Sequence, residues 1–129
     1  MKKIILITTL LLTLAGFTAK ANSLIVINNT NCPYLISTQG GFINVLPNWI
    51  QTYDCPAKVD NLMNNCPTPM YPDIFESAKV VYGGSIQVNV GTAGPTTATS
   101  PVGTPCNNNN PFTVQWIVNS LRDVKLVIS

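Results

Sequence analysis

The chain contains no histidine. That removes the Ser-His-Asp and Cys-His arrangements of nucleophilic catalysis, and with them the commonest general base at neutral pH. Charge is scarce as well: 9% of the residues are Asp, Glu, Lys or Arg, where an average soluble domain has about a quarter. Three of the seven cations, Lys2, Lys3 and Lys20, lie within residues 1–21. The remainder carries four cations, Lys58, Lys79, Arg122 and Lys125, against Asp54, Asp60, Asp73, Glu76 and Asp123, a net charge of −1. A row of phosphates or an anionic lipid surface is held by clustered Lys and Arg, so neither nucleic acid nor a charged membrane is expected as a partner.

Residues 1–21 have the layout of a secretory signal: Lys2 and Lys3, an apolar stretch over 4–14, then the small-x-small pattern Ala19-Lys20-Ala21. Cleavage is predicted after Ala21, leaving a secreted or periplasmic chain with no membrane insertion. The apolar stretch is shorter than the roughly 20 residues that span hydrocarbon. Phe17 stands where a lipoprotein would need cysteine after Leu14-Ala15-Gly16, so no lipid anchor is expected. Residues 22–129 suit a single domain. They are rich in Asn, Thr, Ser and Gln, a composition shared with exported β-proteins that meet carbohydrate or other proteins.

The apolar residues that are present alternate. Phe112, Val114, Trp116 and Val118 are interleaved with Thr113, Gln115, Ile117 and Asn119; after a polar break, Val124, Leu126 and Ile128 resume the pattern. The chain therefore ends in a β-hairpin. Upstream, 24–27 is a continuous apolar run, as in a central strand, and 34–38, 42–46, 49–53, 79–82 and 85–90 are further short strands. Gly83-Gly84 marks a tight hairpin, since both glycines accept positive φ. Two stretches lack the alternation. Residues 54–78 hold four prolines, with short helices expected over 57–64 and 72–77, and 91–111 reads as a long exposed loop. The expectation is an all-β, small antiparallel β-sandwich of seven to eight short strands, immunoglobulin-like or thaumatin-like. The C-terminal hairpin is expected to pack across from 24–27, with 124–129 at a sheet edge and Lys125 discouraging further pairing there.

Four cysteines in an exported chain point to two disulfides. Cys55 with Cys66 is the local choice, closing a short loop worth roughly 2.5–3 kcal/mol in the chain-entropy account. Cys32 with Cys106 would then staple the start of the second strand to the long loop. On spacing alone, 32–55 with 66–106 and 32–66 with 55–106 stay open. Zinc is not expected, because no close Cys-x-x-Cys pair and no histidine is present. Asp54 and Asp60 lack the regular oxygen spacing of a calcium loop. No metal or cofactor is expected.

Two groups of residues compete for a functional role. Asp73 and Glu76, three apart, would share one face of a short helix and form an acid–base pair for a small glycan hydrolase. The stronger reading is structural: Asp73, just after Pro72, as an early helix residue favoured by the dipole, and Glu76 as an ordinary exposed charge. Trp116 is in phase with core residues, whereas Trp49, Gln51 and Tyr53 share a side at a strand start, where an aromatic and amide surface can stack on a sugar ring or meet a protein. The expectation is a non-enzymatic binding or structural module for a glycan or protein partner, acting through Trp49, Gln51 and Tyr53 and flanked by the 91–111 loop.

The stretch Ile25-Val26-Ile27-Asn28-Asn29 through Cys32-Pro33-Tyr34, with Gly40-Gly41 and later Trp49, resembles the opening of thaumatin-like proteins. The resemblance implies a secreted β-sandwich of defence or glucan-binding type. It covers about 30 residues, and the chain departs from the family in its shortness, its four cysteines and its lack of the acidic cleft motifs.

Overall fold

A computed structural model describes residues 22–60, 66, 74–119 and 123–129. The predicted signal, Asp73 and the polar break at 120–122 lie outside the described residues. These residues form an all-β structure, with nine strands in two sheets among them. These are β1 (Leu24–Asn28), β2 (Tyr34–Thr38), β3 (Gly41–Val45), β4 (Trp49–Tyr53), β5 (Ser77–Tyr82), β6 (Ile86–Gly91), β7 (Thr97–Thr99), β8 (Thr113–Val118) and β9 (Val124–Ile128). One sheet has the order β4-β1-β9-β8-β7, the other β3-β2-β5-β6.

Alternation along each strand decides what the sandwich buries. From the five-stranded sheet come Leu24, Val26, Val114, Trp116, Leu126 and Ile128; from the four-stranded sheet come Ile36, Ile43, Val45, Val80, Val88 and Val90. Phe112 enters the core just ahead of β8, and its ring lies 4.8 Å from that of Tyr34 on β2 at an interplanar angle of 58°. The Trp116 indole is 2% exposed, and its N–H donates to Thr92 Oγ1 at 3.0 Å. A large ring can sit this deep because its one polar atom has a partner. Gly83 and Gly84 both have positive φ, 61° and 78°, and turn β5 into β6 as their sequence predicts.

β1 and β9 correct two expectations at once. They pair in parallel within one sheet, Leu24 opposite Val124 through Asn28 opposite Ile128. The C-terminal hairpin thus lies beside β1 rather than across from it, and β9 is flanked by β1 and β8, not at an edge. The reason is burial: Val124, Leu126 and Ile128 are all inside, and a strand with one face in the core and a half-buried second face gains most in mid-sheet. Lys125 therefore guards no edge.

The aperiodic stretches also differ from expectation. In 91–111, Thr97–Thr99 pairs with β8 as a ninth strand, Pro105–Asn107 makes a 3-10 turn, and Thr104 bridges to Asn110. A Thr-Ala-Thr stretch is too short to show an apolar alternation and reads as loop, yet the backbone pairs with β8 and Ala98 packs against the core. In place of the helix over 57–64, the described part holds a single 3-10 turn, Pro56–Lys58. In place of the helix over 72–77, Ile74–Glu76 is irregular and Ser77 already belongs to β5. Gln39 takes up the backbone there, its Oε1 accepting from the N–H groups of Glu76 and Ser77 at 3.0 and 3.3 Å.

Both expected disulfides are present. Cys32–Cys106 joins residues 74 apart with a Cα–Cα distance of 5.3 Å, and Cys55–Cys66 joins residues 11 apart at 6.0 Å. Among the described residues no helix is long and apolar enough to cross a membrane.

Candidate binding surface

β4 is an edge strand paired only to β1 among the described residues, Trp49 opposite Asn28, Gln51 opposite Val26 and Tyr53 opposite Leu24. Those three β1 residues are buried, so Trp49, Gln51 and Tyr53 do share a side, and it is the side that faces the core. Trp49 and Tyr53 are half-buried and packed against it, while Gln51 between them is exposed. Burial pushes the Tyr53 phenol above its ordinary pKa of 10.0. Gln51, Thr52 and Tyr53, with Asp54, Lys58 and Val59, line a shallow, mainly polar recess of about 370 Å³. β7, the ordered part of the 91–111 stretch that pairs in a sheet, lies at the opposite edge from β4 and does not flank this recess.

The outward side of the same sheet is more apolar than the alternation pattern announces. The register aligns Ile50, Ile27 and Val127 in one row across β4, β1 and β9, and Thr52, Ile25, Lys125 and Ile117 in the next. Ile50 is 66% exposed, Ile117 40%, and the other aliphatics are half-buried by their neighbours. Lys125 is the one charge in these two rows. A second concentration of exposed apolar groups follows the β3–β4 crossover, where Phe42 is 64% and Leu46 59% exposed. Residues 41–53, which carry Phe42, Leu46 and Ile50, contain no charged side chain.

Sequence reasoning missed this face because it assigned Trp49, Gln51 and Tyr53 the outward role. Phase tells which residues share a side, and only the pairing partner tells which side is in. The continuous run 24–27 was the available signal, since a central strand with Ile at both outward positions must show them to something.

A deeper cleft of about 300 Å³ lies between Ile74, Phe75, Glu76, Thr92, Ala93, Val118 and Val124. Its lining is largely apolar with one carboxylate. Among the described residues no group of three or more Cys, Asp or Glu converges as a metal site would require. No family model, no curated protein and no solved structure matches the chain.

Proposed function

We propose that the protein is exported to an oxidising compartment and acts there as a non-enzymatic binding module, with another protein as its partner. Two disulfides support the compartment, since such bonds persist where thiols are not kept reduced. The observation that carries the binding role is the outward face of the five-stranded sheet, where Ile25, Ile27, Ile50, Ile117 and Val127 lie in adjacent rows with a single charge. A flat aliphatic patch of this kind suits a protein surface better than a sugar, whose rings stack on aromatic faces.

A second reading is kept by the polar recess beside Gln51 and Tyr53. Its amide, phenol and carboxylate groups are those that bind hydroxyls, which fits a glycan and the thaumatin-like resemblance of the first strands. The purified protein is to be screened on a glycan array and against exported proteins of its source, in parallel with Ile117→Lys and Gln51→Ala. Loss of a protein partner with Ile117→Lys alone supports the leading reading. Loss of a glycan with Gln51→Ala alone transfers the role to the recess. Turnover of any glycan, abolished by Asp73→Ala with Glu76→Ala, would replace both with the carboxylate-dependent hydrolase.

A further inference from the structure

We infer that β4 is a self-complementary edge through which two copies of the chain pair antiparallel, joining their five-stranded sheets across a two-fold axis at Gln51. The inference goes beyond the binding role proposed above and does not depend on it.

The hydrogen-bonding parity of the sheet sets the geometry. Asn29 N–H donates to Ile128 C=O at 2.8 Å and Val124 N–H donates to Ser23 C=O at 2.9 Å, so the odd-numbered residues of this segment turn their backbone groups toward β9. Backbone direction alternates along a strand, and Leu24, Val26 and Asn28 therefore turn theirs toward β4. Their partners Tyr53, Gln51 and Trp49 answer them. The intervening residues, Ile50 and Thr52, direct both N–H and C=O at the open edge, where no described strand pairs.

An edge of this composition lacks the usual guards. β4 holds no lysine, no proline and no other charged residue, and it runs five regular residues. The neighbouring edge β3 is less open: at its start Pro56 and Asp60 crowd Gly40 and Gly41 so closely that a Cβ would not fit. The far edge β7 is only three residues long.

Antiparallel pairing of β4 with its own copy about Gln51 sets Ile50 opposite the other copy's Thr52, and Thr52 opposite its Ile50. These become the two hydrogen-bonded pairs, and all four outward donors and all four outward acceptors of the two chains are used in four backbone bonds. Gln51 meets Gln51 and Trp49 meets Tyr53 in the closer, non-hydrogen-bonded positions, where side chains contact best. No like charges meet, since the nearest charge, Asp54, falls opposite the uncharged Asn48. Any other register leaves outward backbone groups unpaired. A two-fold contact closes on itself, so the product is a dimer and not a fibre. Each row of Val127, Ile27 and Ile50 then continues into the other copy's row of Thr52, Ile25 and Lys125.

An interface of this size belongs to the weak class, below roughly 1,200 Å², so association is read against concentration. Sedimentation equilibrium of the purified, disulfide-intact protein should show a mass rising from one chain to two. Thr52→Pro removes an outward N–H that no described strand uses, and Ile50→Lys with Thr52→Lys sets lysine against lysine. Both should lower the association constant at least tenfold while the far-UV spectrum and melting temperature stay near wild type. Ile50→Lys with Thr52→Glu sets lysine against glutamate only in the proposed register, and should restore association relative to the double lysine variant. A single-chain mass up to about 1 mM, the limit of meaningful affinity, overturns the inference. So does a dimer indifferent to Thr52→Pro and the double lysine variant, or growth without limit.

Discussion

Asn28 is the residue on which the fold turns from the first sheet to the second. Fully buried at the end of β1, it donates from Nδ2 to the carbonyls of Cys32 and Leu46 at 2.8 and 2.9 Å, and its Oδ1 accepts from Thr30 N–H and Thr30 Oγ1 at 3.0 and 2.8 Å. Every hydrogen-bonding position of the amide that the two segments need is filled, so Asn28→Ala takes this partner from the Cys32 and Leu46 carbonyls and from Thr30. The cost should be about 2–4 kcal/mol, read from urea denaturation. Asn28→Asp should cost as much or more, because a carboxylate cannot donate and would repel the same carbonyls. In the sequence Asn28 looks like part of a polar turn, and nothing in a run of asparagines distinguishes the one that points inward. The tyrosines make a second test at this scale. Burial raises the phenol pKa of Tyr34, with a smaller opposing contribution from its hydrogen bond to Thr30 and a further rise from Tyr82, and burial alone raises that of Tyr53. The folded state thus holds these protons more tightly than the unfolded chain, whose phenols titrate near 10.0. Stability is unaffected below that pH and declines as pH rises through and above it. Melting temperatures between pH 8 and 11 should fall only in the upper part of the range, and Tyr53→Phe should flatten the decline.

The elements differ in what holds them. Cys32–Cys106 closes a loop of 74 residues and Cys55–Cys66 one of 11, so the chain-entropy account assigns about 4.5 kcal/mol to the first and about 2.8 to the second. Cys32→Ala with Cys106→Ala should therefore lower the denaturation midpoint more than Cys55→Ala with Cys66→Ala, although the buried Cys32 also packs within the core and adds to the loss. Loop length favoured the near pair, Cys55 with Cys66, but spacing left the other connectivities open, and the structure decides for Cys32 with Cys106. The strands were readable in the sequence: alternation in 112–118 and 124–128 and the paired glycines at 83 and 84 are local patterns with local causes. β7 and the irregular segment Ile74–Glu76 were not, because backbone pairing at Thr97–Thr99 and the grip of the Gln39 side chain on the segment ahead of β5 depend on partners 14 to 38 residues away. The surface around β4 was legible by half. Phase showed that Trp49, Gln51 and Tyr53 share a side, but that this side faces the core was decided by their pairing with β1.

At the scale of the whole molecule the decisive contact is the parallel pairing of β1 with β9, which places the two ends of the described chain in the centre of one sheet. Removing 124–129 should consequently abolish cooperative melting, whereas an edge strand of the same length would be lost at smaller cost; a truncated protein that still melts in one sharp transition would contradict the topology. Hydrogen exchange should likewise be slowest in β1, β8 and β9 and fastest in β7. The same pairing has a consequence in time. A polypeptide emerges from its N-terminus onward, so β1 is made first and β9 last, with about a hundred residues between them. The β2–β3 and β5–β6 hairpins need only near neighbours and can form as they appear, but Leu24, Val26 and Asn28 have no complete setting until β9 arrives. The larger sheet therefore cannot close until β9 has been made, about a hundred residues after β1, however early the hairpins form.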